Sequence, residues 1–224
     1  IPLVSGLLRG GPKMIRWTIS PRQKRVVVDI DTQTCFFPDN GKAHINENGT
    51  VLDNIRRVIT WTRSKHIYVV STVQIPANNA CCSNFRGSDI NGLEKIDFIL
   101  HKRRTHFDAI NSTDLPIGIL EQYDQALFCK RCVDPFAEPR ADRMLTELEA
   151  DEFILIGSLA EGAIKATALG LLARGKKVKV LVDAVLSGKK RAASLALRCI
   201  RARGGKLIET QKLLGSSARY SVRG

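Results

Sequence analysis

The chain is 224 residues long, 44% hydrophobic and 25% charged, which is enough for one large domain or two small ones with a sizeable core. No apolar run reaches the roughly 18 residues of a membrane span, and the apolar stretch near the N-terminus has no basic residue before it, a poor secretory signal. Six scattered cysteines make no dense disulfide framework and favour a reducing, cytoplasmic setting, while the net charge of +13 matters chiefly through its distribution.

Residues 1–24 form a basic arm; counted through Arg25 it holds six Lys/Arg and no acid. Residues 26–30 are an apolar β-branched run broken only by Asp29 and read as a buried parallel strand that delivers Asp31 and Gln33 at its carboxyl end. Pro38, Gly41 and Gly49 mark a loop. A helix is predicted over 51–64, with Leu52, Ile55, Val58, Ile59 and Thr62 on one face, and a second strand over 67–73. Residues 74–93 keep no period. Residues 94–107 read as a helix ending in the basic cluster 101–104, and 108–123 as loop with one short turn. A region this long covers an active site or forms a partner surface.

A short strand over 126–129 places Lys130 at its end. Cys129 and Cys132 have CxxC spacing, but no second pair or histidine sits at finger distance, so no structural metal is expected. Pro139 opens a helix running to 149. The central unit follows: a strand over 153–157, a sharp turn over 158–161, and a helix with Ala163, Ile164, Thr167, Ala168, Leu171 and Leu172 at helical spacing until Gly175. A strand over 177–182 ends at Asp183, which is expected to cap the following turn. A basic helix over 189–203, with Arg191, Arg198 and Arg201 on a shared face, stops at Gly204 and Gly205. A last strand spans 206–208, and the tail 215–224 is expected to be mobile.

The alternation predicts one α/β domain over 25–214, a three-layer α/β/α, Rossmann-like arrangement around a mainly parallel sheet of about six strands. Residues 171–224 carry fourteen Lys/Arg against Asp183 and Glu209, a net +12; with +6 on residues 1–25, the middle is left at −5. Basic ends on an acidic body suggest an acidic partner such as nucleic acid or another polyanion, set against the plainer reading of a solvated basic face.

Three strand ends carry chemistry: Asp31, Lys130 and the turn before Ala163. A carboxylate, an ammonium and a helix N-terminus in one cleft would activate a nucleophile, the acid taking its proton, the cation lowering its pKa and the turn N–H groups receiving an oxyanion. The segments VVVDIDTQTCFF, CKRCVDPF and GSLAEGAIKATALGLLARGKKVKVLVDAV, in this order, resemble the isochorismatase-like cysteine hydrolases over roughly residues 24–214.

The resemblance implies Asp31 and Lys130 as catalytic residues and a nucleophilic cysteine six residues after Gly157, where this chain has Ala163. It also implies a cis bond between Ser158 and Leu159, with the N–H of Leu159 or Ala160 aimed at the oxyanion. Gln33, Cys35, Phe136 and Glu161 are pocket candidates. Glu161 is expected to cap the start of its helix, and Cys35, where the family often has Asp, is a candidate relocated nucleophile.

The metal-dependent members, the nicotinamidases, carry an Asp and two His after the second strand. Residues 71–82, STVQIPANNACC, have neither. His101 and His106 are expected on a solvated helix, so no metal and no cofactor are expected.

Two functions follow. One is a hydrolase of a small-molecule amide or related C–N or C–O bond, inactive as written because Ala163 replaces the cysteine, by engineering or as a natural pseudoenzyme. The other is a non-catalytic protein using its basic ends, 1–25 and 171–224, on an acidic partner such as RNA. Few aromatics accompany those ends, only Trp17 and Tyr220, so base stacking has little to build on. A homo-oligomer without membrane contact is expected in either case.

Overall fold

Three consecutive valines followed by Asp29 and Ile30 favour extended backbone, because β-branched side chains fit a pleated surface. In the computed structural model, which describes residues 17–18, 25–37, 47–76 and 94–215, this run is a central strand. The strands are β1 (Trp17–Thr18), β2 (Arg25–Ile30), β3 (Tyr68–Gln74), β4 (Arg104–Phe107), β5 (Gln125–Lys130), β6 (Leu148–Glu149), β7 (Glu152–Gly157), β8 (Val178–Val185) and β9 (Lys206–Ile208). The helices are α1 (Glu47–Lys65), α2 (Ile119–Gln122), α3 (Pro139–Glu147), α4 (Lys165–Ala173), α5 (Lys190–Ala202) and α6 (Thr210–Leu214).

Seven strands form one sheet in the order β4-β5-β3-β2-β7-β8-β9, every pairing parallel. A parallel sheet is covered on both faces, so its strands are near-continuously apolar. Val26, Val28 and Ile30 face a core built with α3, α4 and α5 through Met144, Leu145, Ala168, Leu171 and Ile200. Val27 faces a second core with Leu52, Ile55, Val58 and Ile59 of α1. This is the expected three-layer α/β fold, with seven strands in place of about six. The strand order reverses beside β2, and the carboxyl ends on either side of that switch are where such folds hold ligands.

The structure corrects several expectations. Residues 94–107 are not a helix: Asp97–Ile99 is a single 3-10 turn, and 104–107 is edge strand β4, held on β5 by Phe107, whose ring stacks on Phe128 with centroids 5.0 Å apart. His101 is consequently not solvated; it is buried beside Thr62, while His106 is exposed on β4. Strand β8 runs past Asp183 to Val185, and Asp183 accepts from the Thr210 N–H and hydroxyl, capping α6 rather than its own turn. Gln74 belongs to β3 and not to the loop after it.

Within the basic arm, Trp17–Thr18 pairs with β6. The expectations for the rest of residues 1–24, for Pro38 and Gly41, for residues 77–93 and for the tail from 216 lie outside the described residues. Cys129 is disulfide-bonded, so Cys129 and Cys132 are not a free dithiol pair. No helix among the described residues is long and apolar enough to cross a membrane.

Candidate active site

Asp31 follows β2 directly and turns the chain with φ of +48°, a conformation that Asp tolerates better than most residues. Its side chain is buried between the ends of two other strands. Lys130 Nζ, the last residue of β5, sits 2.7 Å from Asp31 Oδ2, and Thr72 Oγ1 of β3 donates to Asp31 Oδ1 at 2.7 Å. Lys130 is fully buried and also donates to Gln74 Oε1 at 2.6 Å and to the Cys132 carbonyl at 3.1 Å. Its three ammonium hydrogens therefore have three acceptors. Burial pushes the Lys130 pKa down, the Asp31 charge and hydrogen bond oppose that, and the positive charge of Lys95 adds to the lowering.

Gly157 ends β7 with φ of +114° because the backbone of β2 is against it; a Cβ there would lie 1.9 Å from the Ile30 carbonyl oxygen. Ser158 then locks onto β2, its N–H donating to the Ile30 carbonyl and its hydroxyl to the Asp31 carbonyl, both at 2.8 Å. The Ser158–Leu159 peptide bond is cis. Residues Ala160–Ile164 form a wide π-type turn, kinked at Gly162, before α4 begins at Lys165. Ala163 is buried in that turn, and its carbonyl accepts from Thr167 Oγ1.

The loop after β5 reaches the same place. Lys130 holds the Cys132 carbonyl, and Val133 Cγ1 stands 3.7 Å from where a Gly162 Cβ would be. The carboxylate, the ammonium and the turn are thus joined through hydrogen bonds and contacts across four strand ends, β2, β3, β5 and β7.

The sequence pattern of the isochorismatase domain matches residues 25–212. The chain belongs to the isochorismatase family. Its fold is similar to that of a solved isochorismatase-like hydrolase from Alkaliphilus metalliredigens, with TM-score 0.62 and 17% identity over 86% of this chain and 96% of that one. It is similar too to a zinc-bound pyrazinamidase of Pyrococcus horikoshii, with TM-score 0.60 and 20% identity over 83% and 99%. The MAR1 ribonuclease of Caenorhabditis elegans shares the fold with TM-score 0.60 and 19% identity over 89% and 85%. No curated protein sequence matches the chain.

The other candidates from the sequence occupy distinct places in this isochorismatase fold. Gln33 is buried and clasps the end of β3, accepting from the Gln74 N–H and donating to the Gln74 carbonyl. Cys35 is a free, exposed thiol whose pKa is raised, chiefly by desolvation, with the Asp31 charge adding to the rise; a raised pKa leaves less thiolate and a poorer nucleophile. Phe136 packs on α4, where a Cβ on Gly170 would meet its ring at 2.1 Å and the Arg174 guanidinium covers it at 3.9 Å.

Glu161 does not cap its own turn. Its Oε1 accepts from the N–H groups of Gly188 and Lys189 at 3.0 and 2.7 Å, tying the turn to the start of α5. The Ala160 N–H donates to the Leu186 carbonyl and is therefore engaged, while no acceptor for the Leu159 N–H lies among the described residues.

Sequence reasoning missed Thr72, Gln74, Asp29 and Lys95. Asp29 is fully buried and paired with Lys95 at 2.6 Å, and Thr32 also donates to it. The segment carrying Lys95 straps the loop after β2 through Thr34 N–H to the Glu94 carbonyl and Ile96 N–H to the Thr32 carbonyl. For Asp29 and Thr72 the available signal was a polar residue inside an apolar strand run, which marks a buried polar group without naming its partner; Lys95 lies outside any strand. Among the described residues no group of three His, Cys, Asp or Glu could hold a metal ion.

Proposed function

We propose that this chain carries the acid–base and oxyanion half of a cysteine-hydrolase site, with Ala163 standing where the nucleophile belongs, so that it binds a small acyl compound without turning it over. The observation that carries the reading is the buried Asp31–Lys130 pair at 2.7 Å, joined to a turn whose Ser158 is bonded to the backbone of Asp31. A buried carboxylate paired with an ammonium is costly unless well satisfied, and this one is held by Thr72, Gln74 and the Cys132 carbonyl as well.

With a thiol at 163, Asp31 would accept its proton and the thiolate would attack the carbonyl carbon of an amide. The Leu159 N–H would receive the developing oxyanion. Collapse would expel the amine, with the proton returned from Asp31, and water would then release the acid. With a methyl at 163, no bond to the substrate forms. Amidase relatives of this fold support a C–N bond as the target.

The test is Ala163→Cys. Turnover of a panel of small amides and N-carbamoyl compounds is expected, lost again on Asp31→Asn or Lys130→Ala in the same background. The iodoacetamide alkylation rate against pH reads the site without a substrate. An apparent thiol pKa near the unperturbed value of about 8.5 would show that no activating site exists and would overturn the reading.

A second reading, a non-catalytic binder of acidic partners, is favoured by the basic ends, +6 on residues 1–25 and +12 on 171–224, and by the ribonuclease among the structures of this fold. Sequence-selective RNA binding that survives raised salt would establish it.

A further inference from the structure

Beside the turn, with neither Asp31 nor Lys130 in its lining, an open cavity of about 390 Å³ lies between α5 and the sheet. Ala160, Val185, Leu197 and Leu207 supply its apolar walls, and Arg198 and Arg201, one helical turn apart on α5, stand over it. No acidic side chain lines it. Both guanidiniums are exposed, and neither makes a hydrogen bond or ion pair within the described residues. Three other arginines are taken up by carboxylates, Arg131 by Glu138, Arg143 by Glu147 and Arg174 by Asp142, whereas Arg198 and Arg201 have none beside them in the cavity lining.

Two adjacent unpaired guanidiniums match paired oxygens of a carboxylate or phosphate, which they bind in forked pairs. The half-buried Leu197 and Leu207 beneath them would cover an apolar chain, since small-molecule sites are concave, mostly apolar and fixed by a few polar groups. We propose that this cavity is a binding site for a small amphiphilic anion, a carboxylate or phosphate head on an alkyl or acyl body, with the head between Arg198 and Arg201 and the body against Leu197, Leu207 and Val185. Charge complementarity selects the head, and the apolar walls select the body. A nucleic acid fits less well, because no aromatic side chain lines the cavity to stack on a base. The site is separate from the Asp31–Lys130 cleft and stands whether or not Ala163 is the nucleophile position of a hydrolase.

The experiment is calorimetric titration of the full chain with octyl phosphate and with octanoate, each below its micelle concentration, alongside inorganic phosphate and a single-stranded RNA. One saturable site is expected for octyl phosphate or octanoate, and which of the two binds tighter identifies the head group. The Arg198→Gln, Arg201→Gln double variant should bind at least tenfold more weakly, the scale of one lost charge-assisted hydrogen bond. Leu207→Ser should weaken the octyl compounds and leave inorganic phosphate unchanged. Circular dichroism establishes that both variants are folded.

Three outcomes would overturn the proposal: no saturable binding of either octyl compound, inorganic phosphate binding as tightly as octyl phosphate, or an undiminished affinity in the double arginine variant. RNA binding tighter than either octyl compound and lost with the same two arginines would reassign the surface to nucleic acid.

Discussion

Lys95 Nζ lies 2.6 Å from Asp29 Oδ2 with both side chains shut away from solvent, two positions before the Asp31 that pairs with Lys130. Strand β2 and the residue that follows it therefore present two carboxylates, each answered by a lysine from a different part of the chain. The first pair fastens the 94–96 strap; the second belongs to the candidate active site. Removing one partner of a buried pair strands the other, which costs about 3–5 kcal/mol. Lys95→Met is expected to destabilise the protein on that scale, and Asp29→Val combined with Lys95→Met should recover most of the loss. Urea unfolding midpoints of the three proteins decide it; an unaltered midpoint for Lys95→Met would show that the pair contributes nothing.

Gly157 is the residue on which the turn depends. A side chain there meets the β2 backbone at 1.9 Å in a left-handed conformation, so Gly157→Ala is expected to cost about 3 kcal/mol or more. Gly175 shares the positive φ but has nothing within 4 Å of its Cβ position. Gly175→Ala is expected to cost only about 1 kcal/mol, the left-handed penalty alone. Equal thermal shifts for the two substitutions would contradict the close approach of β7 to β2.

His101 makes stability depend on acid. Burial, with the Arg63 charge helping, lowers its pKa from 6.5 to about 4. The unfolded chain then binds a proton that the folded chain refuses, so the stabilisation is complete above the unfolded value and drains away as pH falls from 6.5 to about 4. His101→Gln removes this dependence. The stability difference between wild type and variant should change by about 3 kcal/mol between pH 7 and pH 4. A constant difference across that range would mean that the imidazole stays solvated.

The basic ends should retain the protein on heparin at low salt. Retention is expected to vanish by about 0.2 M salt, because such binding rests on released counterions. Retention that persists well beyond this would require contacts that charge alone does not supply.

Much of the fold was legible because parallel strands buried on both faces announce themselves as predominantly apolar runs: VVVDI, FILIG and VKVLV, interrupted only by Asp29 and Lys179, each became a central or near-central strand. Edge strand β4 was not, since RTHF carries one buried apolar residue and alternates into solvent among basic neighbours that read equally well as a helix end. Of the candidate site, Asp31 and Lys130 were visible as the charges at strand ends. Thr72 and Gln74 were hidden because a hydroxyl or amide gives no sign in sequence of which strand will lie beside it. Lys95 was hidden for the same reason at longer range: its partner Asp29 is 66 positions away, and neither residue alone implies the other.

The bonds that shape the turn use Ser158, Glu161, Thr167 and main-chain groups, and none uses the side chain at 163. The hydrogen bonds of the scaffold therefore do not depend on which small residue stands there, and on the proposed reading a cysteine could be lost or regained without rebuilding them. In the genetic code no single-base change joins a cysteine codon to an alanine codon; the stepping stones are serine and glycine. A lineage that moved between the two by single steps passed through one that kept a hydroxyl in the cleft or one that kept nothing, and orthologues with Ser or Gly at this position would mark which route was taken.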